Sequence, residues 1–413
     1  MFFAISFYQC NSNSDITPET IISSNTVITY QDFCRRAEEL NFLKQKKIIG
    51  IGEVVHGSST IKNINHAFVK FLIDSMGFKN IFLEYEFHLA NKLNRLVRSN
   101  KDTIKVNHIW QHQSSTHWFL QNGEFIELIN WIKRYNNNHE EFEKVSFYGI
   151  DMQFRAGAIK YIYDFLQNKK PKYIAYNKEK VKTIMELEYQ DLPDSLLIFI
   201  SKIDSLINTI ENISKREYDL IKYNINLLKQ TNEFLADKND AGINFSTIRD
   251  KFMFANFEWI KKNYAQNKTA NSIILAHNYH ISYGERCGLF NIICNKSMGG
   301  NIKTQYGNNY LAIGSEFGYG QFYARNTNTQ TFGVNKILKS QKSNFLHNLS
   351  RNYNNSLTDL RTKENIPLMN KKANMHAIGT LFHPKRLYDK ITPNKHFDIL
   401  LYTEHIKPSS NLW

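Results

Sequence analysis

Glu53 and His56 stand three residues apart where the apolar run Ile48-Ile49-Gly50-Ile51 gives out, in the string Gly52-Glu53-Val54-Val55-His56-Gly57. A carboxylate beside an imidazole makes a general base. It fixes the ring tautomer and raises its basicity, so the ring can take a proton from water near neutral pH. Three further apolar runs end in the same way. Ile81-Phe82-Leu83 runs into Glu84, Val145 to Ile150 into Asp151, and Ser272 to Ala276 into His277, with His280 three residues on. An open parallel sheet keeps its ligand crevice outside the carboxyl ends of its strands. These residues are therefore expected to share one site.

Each has its own chemistry. Glu84 follows so apolar a strand that its carboxylate must face the crevice or a buried partner, since burial without one is costly. His56 and Lys62 are the candidate partners. His277-Asn278-Tyr279-His280 has H-x-x-H spacing, which on a helix puts both rings on one face, toward a metal or a substrate carbonyl oxygen. The H-E-x-x-H zincin motif is absent, as is a G-x-S-x-G nucleophile elbow. Ser58 and Ser59 follow His56 too closely to serve as its nucleophile, so direct attack by water is the simpler mechanism.

The elements that must position these groups form a β-α-β unit: strand 46–53, helix 59–76 and strand 80–85. Ile61, Ile64, Phe68, Phe71 and Leu72 give the helix one apolar face, and Gly77 suits its C-terminal turn. A right-handed parallel crossover brings Glu53 and Glu84 to one sheet edge, with neighbouring strands the simplest arrangement. A short helix is expected over 31–42 and another over 124–136, ahead of the strand ending at Asp151. Residues 155–262 read as helical, with Leu196, Phe199, Ile200, Ile203, Leu206, Ile207, Ile210 and Ile213 on one stripe that is a packing face. Strands return at 272–277, 310–317 and 397–403. Ser297–Gly300 and Gly318–Gly320 suggest tight turns or close approaches, and Asn136–Asn138 and Asn352–Asn355 surface loops. The expected fold class is α/β: a three-layer α/β/α sandwich with a mostly parallel central sheet and a large helical insertion. Residues 29–413 would form this domain, the insertion lying at about 155–262, after a polar lead-in or export-signal remnant over 1–28.

Composition narrows the partners. The 413 residues are 42% hydrophobic and 14% aromatic, enough for a large core, and carry a formal charge of +14. The basic residues are spread along the chain without a nucleic-acid-binding signature, so no nucleic-acid partner is expected. No apolar stretch is long enough to be a transmembrane segment. Cys10, Cys34, Cys287 and Cys294 form no C-x-x-C pair, and the gap between the last two suits successive turns of a helix. Met1–Cys10 is apolar but lacks a basic start and a small-residue cleavage site. A loosely packed terminus and a cytoplasmic protein are expected, the alternative being an exported lipoprotein acylated at Cys10.

The ordered set of motifs resembles the erythromycin esterase family. Gly52-Glu53-Val54-Val55-His56-Gly57 is similar to its G-E-x-x-H-G signature, Glu84 to its second glutamate, and Ala276-His277-Asn278-Tyr279-His280 to its A-H-N-x-H motif. Weaker matches are Gly149-Ile150-Asp151-Met152-Gln153, Arg249-Asp250 with Met253 and Asn256, and Ser297-Met298-Gly299 leading to Tyr306-Gly307. Together they span roughly 30–405. The resemblance implies that His56 activates water against an ester carbonyl and that Glu53 and Glu84 orient it. His277 and His280 would bind or protonate the lactone oxygens. It implies a small-molecule ester or macrolide substrate, opened at its lactone, with Lys62, Asn65, His66 and Asp151 as substrate-binding positions. No metal ligand and no cofactor is assigned. One departure stands out: the family's arginine nine residues after the histidine is Asn65 here, and an amide lacks the guanidinium's charge. Loss of one oxyanion donor costs about 10²–10³ in rate, which Lys62 or His66 would have to make good. Two other readings stay open. One is a metal-dependent hydrolase or peptidase with Glu53, His56, His277 and His280 as ligands; the other is a small-molecule-binding relative without turnover.

Overall fold

A computed structural model describes residues 19–99, 120–187, 190–239, 244–287, 294–338 and 354–410. The expectations for residues 1–18, Cys10 included, lie outside these residues, whereas part of the expected lead-in over 1–28 is a strand, Thr20–Ser24, paired into the main sheet. The strands that build the site are the most apolar ones. After the edge strand β1 (Thr20–Ser24), they are β2 (Ile48–Glu53), β3 (Asn80–Glu86), β4 (Ser146–Asp151) and β5 (Ser272–His277), and β2, β3 and β4 are buried along almost their whole length. Two short strands, β6 (Arg286–Cys287) and β7 (Cys294–Asn295), pair antiparallel with residues 287 and 294 opposite each other. The cysteine spacing, which fitted a helix no better than other structures, belongs to a β-ribbon at its described ends. Then follow β8 (Tyr310–Asn326), β9 (Phe332–Ile337), β10 (Asn355–Asp359), β11 (Ala373–His376), β12 (Leu381–Phe382), β13 (Tyr388–Ile391) and β14 (Ile399–Ile406).

The main sheet runs in the order β1-β10-β14-β8-β2-β5-β3-β4. From β14 to β4 every pairing is parallel, and β10 and β1 add an antiparallel edge. Alternation splits the core: Ile48 and Phe82 pack into one face, Ile49, Ile51 and Leu83 into the other. The second face is covered by α1 (Tyr30–Arg35), α2 (Ser59–Asp74), α3 (Phe87–Arg98) and α4 (Gly123–Asn137). The first is covered by helices between β4 and β5. These are α5 (Ala156–Lys169), α6 (Pro171–Tyr176), α7 (Lys178–Glu186), α8 (Asp194–Ile207), α9 (Lys215–Asn239) and α10 (Asn244–Trp259). The expected α/β fold with a mostly parallel sheet is what forms. Among the described residues no helix is long and apolar enough to cross a membrane.

Two local expectations change. β2 and β3 are not neighbours: β5 lies between them and pairs with both, because a crossover rule gives handedness and not how many places a strand moves. Asn136 is no surface residue. It sits buried in α4, where its amide bonds the carbonyls of Val97 and Val145 at 3.0 and 2.9 Å and accepts Val145 N–H at 2.7 Å. Asn355 likewise lies buried on β10. Of the two readings for Gly318 and Gly320 the close approach holds, because both lie inside β8 and meet the backbone of β14. β8 therefore runs well past the 310–317 read from its apolar start.

Candidate active site

Parallel register brings the chemistry to one edge. Glu53 ends β2 opposite His277 at the end of β5, and Glu86, two residues past Glu84, lies opposite Asp151 at the end of β4. Pairing between β3 and β4 shifts between Leu83 and Glu86, an irregularity of the kind that re-aims side chains next to active sites.

The first pair forms as its spacing suggests. His56 Nδ1 lies 2.6 Å from Glu53 Oε1, and Lys62 of α2 donates to Glu53 Oε2 at 3.0 Å. Burial would raise the Glu53 pKa, but the charge of Lys62 and the bond from His56 hold it below the ordinary carboxylate range. The ionised carboxylate only accepts, so Nδ1 carries the proton and Nε2 has the lone pair of the neutral ring. Lys62, three residues from Asn65 on the same helix, thus brings the positive charge that Asn65 lacks. Asn65 instead donates to the Gly52 carbonyl at 3.2 Å. His66 is buried and its Nδ1 has no hydrogen-bond partner among the described residues. Burial and the Lys62 charge push its pKa down to about 3, so it is a neutral ring. Glu53, His56, Lys62, Asn65, His66 and Glu84 share a small cavity of about 30 Å³ with apolar residues such as Leu83 and Phe125. That is room for about one water.

The segment between β2 and α2 is held closely. A Cβ on Gly57 would collide with the Tyr323 backbone of β8, so only glycine lets the chain turn there. Ser58 caps α2 by accepting Ile61 N–H at 3.3 Å.

The second cluster centres on a residue whose role the sequence did not reveal. Arg249 of α10 donates to Glu84 Oε1 at 2.7 Å and to both oxygens of Asp151, at 3.2 Å from Nε and 2.7 Å from Nη2. Asp151 also accepts from Gln153 at 2.7 Å, so it serves as the anchor of Arg249 and lies outside the cavity. Asp250, next along α10, meets His280 Nδ1 at 2.6 Å, and Glu84 Oε1 is 3.3 Å from His280 Nε2. Arg249 Nη1 lies 2.9 Å from that same Nε2, a contact that only an unprotonated nitrogen would accept. The carboxylates outweigh it. Burial disfavours the charged ring, but Glu84 and Asp250 raise the His280 pKa to about 9. Burial also opposes ionisation of Glu84, which His280 and Arg249 hold well below its usual value. The signal that could have exposed Arg249 is its spacing. Arg249, Met253 and Asn256 share a face of α10, and Met253 and Asn256 pack inward, with Asn256 donating to the Ile150 carbonyl at 3.1 Å.

His277 joins the two halves. Its backbone N–H donates to Glu84 Oε2 at 2.8 Å, Nδ1 accepts from Tyr279 N–H at 3.2 Å, and Nε2 lies 3.2 Å from the Val54 carbonyl. These contacts define a neutral ring protonated at Nε2, 5.4 Å from the His56 ring between centroids. Asn278 clamps β8, donating to the Ser315 carbonyl at 2.7 Å and accepting Ser315 N–H at 3.0 Å. Among the described residues, no group of three or more His, Cys, Asp and Glu side chains is placed to hold a metal ion.

These charges set a pH window for stability. His280 keeps its proton to about 9 when folded, against a usual 6.5. Its contribution is complete below about pH 6.5 and lost as the pH rises through about 9. Glu84 has a lowered pKa, so its contribution is present above its usual 4.5 and lost as the pH falls through its folded value. The urea midpoint is expected to decline from about pH 6.5 to 9.5, and His280→Gln should remove most of that decline. A wild-type midpoint that stays level over this range would contradict the assignment.

The site is a carboxylate-backed imidazole at the carboxyl edge of a parallel α/β sheet, beside a buried cation-carboxylate cluster. The family model for erythromycin esterase matches residues 73–406, most of the chain, and the chain belongs to that family. The erythromycin esterase type II of Escherichia coli is 20% identical over 296 residues, covering 65% of this chain and 68% of that protein. A crystal structure of a Bacillus cereus protein superposes with a TM-score of 0.77 at 23% identity, covering 97% of each chain. An erythromycin esterase mutant in its open conformation superposes with a TM-score of 0.69 at 14% identity, covering 94% of this chain and 98% of that one. Family membership supports a hydrolase of the esterase kind acting on a small molecule.

Proposed function

We propose that the protein hydrolyses a lactone ester, with the macrolactone of macrolide antibiotics as the first substrate class, by water that His56 deprotonates. The observation that carries this is the 2.6 Å contact between His56 Nδ1 and Glu53, which leaves the ring's lone pair on Nε2. In this reading Nε2 takes a proton from water as the water oxygen bonds the ester carbonyl carbon. Glu53, ionised by Lys62, stabilises the imidazolium that results. The Nε2–H of His277, now 3.2 Å from the Val54 carbonyl, is the donor the developing oxyanion would take over. Collapse of the tetrahedral intermediate breaks the acyl–oxygen bond, and the His56 proton passes to the departing alkoxide. Products are a carboxylate and an alcohol, joined in one ring-opened molecule when the substrate is a lactone. His280 and Arg249 act behind this layer, holding Glu84 ionised and aimed at the His277 backbone. The open structure of a family relative bears on access, since a cavity of about 30 Å³ admits a water and not a macrolide ring. A macrolide would have to meet His56 from outside this chamber.

Mass spectrometry after incubation with 14-membered macrolides and with simpler lactones tests the proposal. The expected result is the gain of one water, with the label in the new carboxylate when the reaction runs in ¹⁸O-water. No hydrated product from any lactone at high enzyme concentration would overturn it.

A further inference from the structure

A second buried carboxylate–imidazole pair lies on the far side of β2 from Glu84. Glu316 of β8 and His376 of β11 are fully buried side chains whose Oε1 and Nδ1 lie 2.5 Å apart. Glu316 Oε2 also accepts the backbone N–H of His376 at 2.8 Å. Phe317 stacks on the imidazole with ring centroids 4.2 Å apart and planes at 10°, and the Tyr388 ring of β13 is 4.6 Å away. His376 Nε2 has no hydrogen-bond partner among the described residues. A polar nitrogen left unsatisfied in an aromatic box is a cost that a residue chosen for packing alone would not carry.

The pair anchors a strap that ends on the catalytic segment. β11 and β13 form a two-stranded ribbon outside the main sheet. Just after β11, Gly379 donates its N–H to the Val54 carbonyl at 3.1 Å and accepts the His56 backbone N–H at 3.3 Å. The same Val54 carbonyl faces His277 Nε2. Gly379 has φ +60°, and a Cβ there would sit 3.4 Å from His277 Nε2. From the other strand of the ribbon, Asp389 accepts from the hydroxyl of Tyr279, one of the two residues between His277 and His280. On β8, Ser315 Oγ accepts Val54 N–H at 2.9 Å, one residue before Glu316. The strap thus bonds the His56 backbone directly and reaches His277 through the Val54 carbonyl that both face, and Glu316 fixes its near end.

We propose that Glu316 and His376 are positioning residues for hydrolysis: they lock the strap 376–379 so that Gly379 sets His56 and His277 in register with each other. Neither touches substrate. This rests on the lactonase reading for its kinetic consequence, but not for its geometric one. Displacements of about 1 Å in such groups cost on the order of 10²-fold in rate.

The test uses the full chain with His376→Gln and Glu316→Gln, assayed well below each variant's unfolding midpoint. The expected result is a fall in kcat of about 10–100-fold with KM changed less than about threefold, since orientation and not binding is lost. Long-range ¹H–¹⁵N spectra of histidine-labelled protein give a readout independent of activity. The His56 and His277 ring signals should move or broaden in both variants, and that of His139 on the distant end of α4 should not. Should either variant fail to fold, Gly379→Ala, which adds a methyl against His277 Nε2, must move the same two ring signals. Unmoved His56 and His277 signals overturn the strap whatever the substrate. Moved signals in an enzyme whose wild type cleaves no lactone uphold the strap and overturn the proposed reaction instead.

Discussion

His56→Ala is expected to lower kcat/KM for lactone hydrolysis by about 10²–10⁴-fold, the contribution of a positioned general base. The fold should survive it. His56 is one of two partners of Glu53, and Lys62, 3.0 Å away, continues to neutralise the carboxylate once the ring is gone. The loss should therefore appear as inactivity in a protein with an unchanged circular dichroism spectrum and a urea midpoint close to that of wild type. Exogenous imidazole should restore part of the rate if the cavity left by the ring admits it. His56→Ala enzyme retaining more than about a tenth of wild-type activity would place the base elsewhere.

Arg249→Leu carries the largest expected change in stability. The guanidinium is buried against Glu84 and Asp151, and both carboxylates raise its hold on its proton despite burial. Removing it leaves two buried carboxylates facing each other, with His280 beside Glu84 but no cation bonded to Asp151 among the described residues. Breaking a buried pair in this way costs about 3–5 kcal/mol, measurable as a lowered urea midpoint at pH 7. Activity should fall as well, since Glu84 loses the donor that aims it at the His277 backbone. Arg249→Lys keeps the charge but not the fork that serves Glu84 and Asp151 together, so it should recover only part of the loss. Adding Glu84→Gln to Arg249→Leu removes one of the uncompensated charges, and the double variant should be more stable than Arg249→Leu alone. Arg249→Leu with an unchanged midpoint would mean that the cluster is solvated rather than buried.

The pairs read from spacing formed where a short stretch of chain carries both members. Glu53 and His56 lie on one tight segment, and Ala276-His277-Asn278-Tyr279-His280 passes from the end of β5 into a single turn, Asn278–Ile281. Apolar runs identify buried parallel strands because both faces of such a strand are covered, and a parallel sheet points all its strand ends one way. Those two facts were enough to gather Glu53, Glu84, Asp151 and His277 at one edge.

Sequence by itself therefore determined the fold class, the edge at which the chemistry sits and the Glu53–His56 pair, since each depends on local periodicity or on neighbours in the chain. Only the tertiary structure decided that β5 enters between β2 and β3, that Lys62 and not Asn65 reaches Glu53, and that Arg249 and Asp250 serve Glu84 and His280. It alone brought Glu316 to His376, 60 residues away, and Gly379 onto His56. The reason is physical. A charge on a helix pairs with whichever opposite charge the packed layers set within about 3 Å, and no periodicity in the chain encodes that distance.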